Sequence, residues 1–257
     1  MSHPALRVAG LAHRYGTTTV LRDISFDVHP GEVVAVIGPS GAGKTTMFRC
    51  VTGLVAPERG RALVAGNDLS ALRGGELARA RRQVALIFQQ YNLVRRLSAL
   101  DNVVLGRLVH LPWWRALLRL PPAEVRDLAG ACLQRVGMAA HAGARADTLS
   151  GGQQQRVAIA RVLAQRSSLL LADEPVASLD PRSSASVLAT LRAVASEEGI
   201  AVVCSLHQVD LVAGFADRVI GLRDGALVLD VPVADLTDHH RADVYGVDLE
   251  PSPSGER

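Results

Sequence analysis

Lysine is almost absent from this sequence. Of its 28 basic side chains only Lys44 is a lysine, so every other positive charge is a planar arginine fork and one position keeps a compact, flexible ammonium. Cysteine is scarce as well. Cys50, Cys132 and Cys204 lie far apart with no C-x-x-C pair, which indicates neither a disulfide framework nor a zinc site and makes a reducing cytoplasm the expected compartment. No apolar run approaches the ~20 residues that a membrane-crossing helix requires. Met1 to Gly16 carries His3, Pro4, Arg7, His13 and Arg14 without an apolar h-region, so no secretory leader is expected. A single-sign charge excess is missing too: the net charge is +3 and the arginines are scattered, which argues against a nucleic-acid stripe despite a pI of about 9.0. With 257 residues and 48% hydrophobic content, the chain has ample material for a core of one large or two small domains.

The lone lysine sits in Gly38-Pro39-Ser40-Gly41-Ala42-Gly43-Lys44-Thr45-Thr46, which matches G-x-x-x-x-G-K-[ST]. Val33 to Ile37 before it is an unbroken apolar, mostly β-branched run, the pattern of a strand buried on both faces. Thr45 to Cys50 after it reads as a helix, with Gly53 placed to end it. Strand, glycine loop and helix is the context that makes the motif a phosphate cradle. Backbone N–H groups and the helix N-terminus meet the anion, Lys44 reaches the β and γ phosphates, and the Thr45 hydroxyl can sit on Mg²⁺.

Around this loop the chain predicts an antiparallel pair, Leu6 to Arg14 and Val20 to Val28, then strands at Leu63 to Ala65 and Val84 to Phe88 flanking a solvated helix over Arg73 to Arg82. Tyr15 ends the first strand, either stacked on a base or half-buried in the sheet. Gln89 and Gln90 follow a strand end, where they orient a metal or water, or are ordinary loop residues. From about 91 to 164 helical segments broken by Pro112, Pro121-Pro122 and Gly137 predict an inserted helical subdomain. Its Trp113-Trp114 piece is basic and amphipathic, suited to packing within the insert or to a partner or membrane surface. Leu149-Ser150-Gly151-Gly152-Gln153 opens a helix with Ser150 as N-cap, a second anion site at a helix start. One nucleotide needs one cradle, so a second suggests that two chains share each ATP.

Ser168 to Ala172 is another buried strand, ending on Asp173-Glu174-Pro175. Pro175 restricts Glu174 to extended or turn geometry, which lets both carboxylates face the strand's carboxyl end. One can hold Mg²⁺ and the other polarise a water for attack on the γ-phosphate. Ser178-Leu179-Asp180-Pro181 turns into a helix over Arg182 to Ala195. Ile200 to Cys204 is a further buried strand with His207 just past its end, either structural or on the ligand side of the sheet. Arg218 to Leu222 and Ala226 to Leu229 read as a strand and hairpin, no regulatory domain is expected after residue 230, and the polar tail 247–257 is expected to be disordered.

Taken together the ordered set resembles the nucleotide-binding subunit of ABC transporters, over nearly the whole chain from Leu6 to about Gly246. The resemblance implies an α/β fold: a P-loop NTPase (RecA-like) core, about 1–90 and 165–230, with an N-terminal antiparallel β subdomain and an inserted α-helical subdomain, about 91–164, in a single cassette 1–246. It implies that Tyr15 stacks on adenine, that Gln89 senses the γ-phosphate through Mg²⁺ and faces a membrane partner, and that the Ser150 helix caps ATP held by a second copy. Asp173 supports the metal, Glu174 is the catalytic base, Ser178 and Asp180 lie at the dimer interface, and His207 contacts the γ-phosphate. Within that family the chain looks most like the phosphonate importer ATPases, on Phe88 to Val94, Arg135 to Met138, Ser150 to Arg161, Ala172 to Pro181 and Leu206-His207-Gln208-Val209-Asp210. Ala42 and Thr45 replace serines common in the motif. The implied partners are a second copy in an ATP sandwich, two transmembrane permease subunits, and a periplasmic or lipoprotein substrate-binding protein, with the chain peripheral on the cytoplasmic face of the inner membrane and no nucleic acid bound. Because Lys44 is the only lysine, acylation of amines is predicted to abolish ATP hydrolysis and ATP to slow the loss; inactivation that ATP does not slow removes Lys44 from the site.

Overall fold

The β-branched runs build two sheets. In the first, β1 (Leu6–Tyr15) and β2 (Thr18–Val28) form an antiparallel hairpin. β3 (Val33–Ile37) enters the second sheet, and β4 (Arg59–Val64) returns to pair with β1 and with the two-residue β5 (Asn67–Asp68), giving the order β2-β1-β4-β5. The second sheet adds β6 (Val84–Ile87), β7 (Leu169–Asp173), β8 (Ala201–Ser205), β9 (Arg218–Arg223) and β10 (Ala226–Pro232) in the order β10-β9-β3-β8-β7-β6. All its pairings are parallel except β9 with β10. This computed structural model describes residues 3–87, 92–108, 110–111, 121–177 and 179–246. The Trp113-Trp114 segment and the tail 247–257 lie outside them.

Burial on both faces explains why β3 has no polar position. Val33, Ala35 and Ile37 join one apolar cluster, while Val34 and Val36 join another that holds β1, β2 and the helix α1 (Lys44–Val51). Each fully buried aliphatic side chain of this kind contributes about 1.5–3 kcal/mol. After α2 (Gly74–Ala80), the first of those clusters carries α3 (Ala99–Leu108), α4 (Ala123–Arg135) and α5 (Gly151–Gln165), which pack on one another, and then α6 (Pro181–Glu198). Asn102, fully buried on α3, exchanges bonds with both backbone groups of Val94 and donates to the Ser98 carbonyl, so the stretch from Val94 to Ser98 is pinned to the helical layer. All three cysteines are free and buried.

Three elements depart from expectation. β4 begins at Arg59, upstream of the expected Leu63, because Arg59 and Arg61 face Ala12 and Ala9 of β1 and the ladder supplies what the polar sequence hides. The helix expected over 73–82 ends at Ala80 and tightens into a 3₁₀ turn, Arg81–Gln83. Past β10, where no further element was named, a short helix α7 (Asp238–Tyr245) folds back on the sheet, capped by Thr237 and ended by Gly246 at φ 67°.

The start of β3 is tied to α6 by Asp217, whose Oδ2 accepts from the Val33 N–H (2.9 Å) and from Arg192 (2.6 Å). The Arg192 contact, reinforced by the Val33 bond, holds the Asp217 carboxyl below the usual carboxylate range. A depressed carboxyl stabilises the fold above its unfolded pKa, and that stability is lost as pH falls through the folded value. Asp217→Ala leaves a buried N–H unpaired and is predicted to cost about 1–3 kcal/mol in urea unfolding at neutral pH. Below about pH 4 the gap between variant and wild type should narrow.

Candidate active site

The loop after β3 is shaped by its glycines. Gly38, Gly41 and Gly43 take φ values of 149°, 84° and 103°. A Cβ on Gly38 would stand 2.2 Å from the Leu222 carbonyl oxygen, and one on Gly43 would stand 2.8 Å from Leu21 Cδ2 and 2.9 Å from the Val20 carbonyl oxygen. The loop is therefore wedged between the end of β9 and the start of β2, and any side chain at those two positions displaces it. Pro39, Ser40 and Ala42 complete the turn, Ser40 and Gly41 facing out and Ala42 packed inward. Lys44 opens α1 and is only 5% exposed, with Nζ donating to the carbonyls of Gly38 (2.7 Å) and Pro39 (3.0 Å). Burial lowers its pKa, and the negative charges of Glu174 and Asp173 act against that lowering. Thr45 is exposed on the first turn and Thr46 buried.

Two strands away the acidic pair ends β7. Ser205, fully buried at the end of β8, donates its hydroxyl to Asp173 Oδ1 (2.8 Å) and accepts the Glu174 N–H (2.9 Å). Of the extended and turn geometries open to Glu174 before Pro175, it takes a turn conformation, left-handed at φ 50°. The Ser205 bond on its N–H and the Ala177 N–H on its carbonyl (3.3 Å) hold it there. A non-glycine residue so placed stores strain of about 1–3 kcal/mol, the kind that collects where a side chain must be aimed. Glu174 Oε1 lies 2.5 Å from His207 Nε2. The parallel order β3-β8-β7 thus gathers the lysine loop, His207 and both carboxylates at one carboxyl edge of the sheet.

The other predicted site lies elsewhere. Ser150 caps α5 with a reciprocal box: its Oγ accepts from the Gln153 N–H (3.3 Å), and Gln153 Oε1 accepts from the Ser150 N–H (2.9 Å). Gln153 Nε2 also meets His141 Nε2 at 3.3 Å. A cavity of about 260 Å³ there is lined by His141, Ser150, Gly152, Gln153, Arg156 and Ser183 among others, and by no residue of 38–46. Gly151 is exposed beside it. Asp180 caps α6, accepting the Ser183 N–H (3.0 Å), which puts it next to this helix start and leaves it exposed. Tyr15 is 45% exposed at the end of β1, with His13 edge-on to its ring at 4.6 Å. Gln89 and Ser178 fall outside the described residues. Sequence reasoning passed over Ser205. Its one signal was a hydroxyl closing an all-apolar strand two residues before a histidine.

A lysine-bearing glycine loop beside an acidic strand end, on a mostly parallel sheet, defines a P-loop nucleoside triphosphatase. A profile described as ABC transporter matches residues 21–177, and the chain belongs to that family of ATP-binding cassettes. It is 51% identical to a phosphonates import ATP-binding protein (PhnC) of Frankia casuarinae, over 93% of this chain and 94% of that one. With a hypophosphite import ATP-binding protein (HtxD) of Stutzerimonas stutzeri it shares 46%, over 96% and 72%. Among solved structures it resembles cbiO1 of Clostridium perfringens, part of the cbiONQ ABC transporter complex, with a TM-score of 0.81 at 29% identity over 91% and 90% of the chains. The dimeric cassette MJ0796, bound to ADP and Pi in a post-hydrolysis state, gives 0.77 at 30% over 89% and 98%.

Ser205→Ala removes the hydroxyl that holds the Asp173 carboxylate and the Glu174 backbone. It is predicted to lower kcat for ATP hydrolysis by about 10–100-fold, the usual cost of losing such a supporting bond, while ATP binding to the lysine loop persists in a filter or fluorescence titration.

Proposed function

We propose that this chain is the ATPase subunit of an importer for phosphonates or kindred phosphorus oxyanions. The observation that carries the hydrolytic half is the Glu174–His207 pair at the sheet edge that also presents the lysine loop. The solute class rests on the likeness to relatives named for phosphonates and hypophosphite import.

In this reading Lys44 exchanges the Gly38 and Pro39 carbonyls for the β and γ phosphates, and residues 38–46 supply backbone N–H groups to them. Tyr15 offers its exposed ring to adenine. Among the described residues no group of three His, Cys, Asp or Glu could hold a metal alone. Thr45 and Asp173 are hard oxygen donors of the kind Mg²⁺ takes when phosphates complete its shell, and Gln89 is assigned to the same shell. Mg²⁺ bound there neutralises charge on the phosphate oxygens. Glu174 accepts the proton of the attacking water, and His207 holds the γ-phosphate and steadies the Glu174 carboxylate.

Ser150, Gly151, Gly152 and Gln153 lie away from the loop within one protomer, so they close on the triphosphate of a second copy, with Ser178 and Asp180 at the seam. ATP bridges the closed pair and ADP does not, so hydrolysis reopens it. Two permease subunits receive that motion through the Gln89 region and the helical layer, with a periplasmic or lipoprotein binding protein delivering the solute. No helix among the described residues is long and apolar enough to cross a membrane, so in this reading the chain sits on the cytoplasmic face of its permease.

Glu174→Gln is expected to bind ATP, to hydrolyse it about 10²–10⁴-fold more slowly, and to accumulate as a dimer on gel filtration. A variant that stays monomeric and fully active overturns the scheme. With its permease in vesicles, hydrolysis stimulated by phosphonates, phosphite or hypophosphite supports the solute class; stimulation by unrelated solutes alone overturns it.

A further inference from the structure

The short C-terminal helix reaches into the hydrolytic site. α7 is docked by Val244, which is fully buried against Gly221: a Cβ on that glycine would lie 2.4 Å from Val244 Cγ2 and 2.8 Å from Leu229 Cβ. Gly221 is the β9 partner of Ile37, the last residue before the phosphate loop. The Arg223 guanidinium donates to the Asp243 carbonyl, and Arg241 lies 3.4 Å from Asp210, three residues past His207. These contacts fix the last residue of the helix. The Tyr245 hydroxyl donates to the His207 carbonyl oxygen at 3.3 Å.

We propose that Tyr245 is a positioning residue for ATP hydrolysis: its phenol ties the docked C-terminal helix to the loop bearing His207, and so sets where the His207 ring meets the γ-phosphate. A phenol has one proton to give, which matches donation to the His207 carbonyl. Burial raises the Tyr245 pKa, so the proton stays on the oxygen at neutral pH. The helix thereby gains a purpose that its distance from the motifs conceals. Displacing it moves the γ-phosphate contact from an element that lies outside every nucleotide motif. The inference rests on the role given to His207 above.

Tyr245→Phe keeps the ring and its packing and removes only the hydroxyl. We expect kcat for ATP to fall about 3- to 10-fold, the worth of one neutral hydrogen bond, with KM for ATP and the melting temperature essentially unchanged. In a His207→Ala background the same change should cause no further loss. Wild-type kcat in Tyr245→Phe, an equal loss with and without His207, or a rise in KM in place of the fall in kcat each overturns the inference. Full turnover in His207→Ala alone sinks the role of His207 itself, so the two failures are told apart.

Discussion

Everything at the catalytic edge depends on β8 lying parallel between β3 and β7. That one placement puts Ser205 beside Asp173 in register and projects His207 between the lysine loop and the acidic pair. The strand carries no polar residue until Ser205 and is buried along its whole length, so apolar packing holds it between its two neighbours. Hydrophobic packing with no catalytic content thus sets distances of 2.5–2.9 Å among the groups that do chemistry.

Two left-over costs sit at this edge. Lys44 is held out of water, and Glu174 is held in a backbone conformation that its side chain disfavours. Both are offset locally. The lysine finds two carbonyls and the field of two carboxylates, while the glutamate has its N–H and its carbonyl both bonded. In the proposed reading, a site prepared in this way needs little rearrangement for a triphosphate to replace the carbonyls at the ammonium.

Much of this was legible in the residue order. Local rules read the strand–loop–helix around Lys44, the cap at Ser150, the buried strands and the hairpin at 218–229, because each is written in contiguous residues at a fixed period. What escaped needed the third dimension. Arg59 and Arg61 look like loop until β1 pairs with them, and α7, with two histidines and three charged residues in eight, looks like solvent until Val244 meets Gly221. Pro175 left Glu174 extended or in a turn, and a serine thirty-one residues away holds it in the turn. The separation of the Ser150 helix from the lysine loop was foreseeable only as a surplus of anion sites, not as a distance.

The three thiols have a practical consequence. Cys50, Cys132 and Cys204 are enclosed, and burial lifts each above its ordinary range, Cys50 to about 11. Little thiolate is available to a maleimide or a nitroxide reagent at neutral pH. A cysteine introduced on the exposed rim beside Ser150 would therefore be the sole attachment point for a spectroscopic reporter, and the native protein already provides the quiet background that such labelling requires.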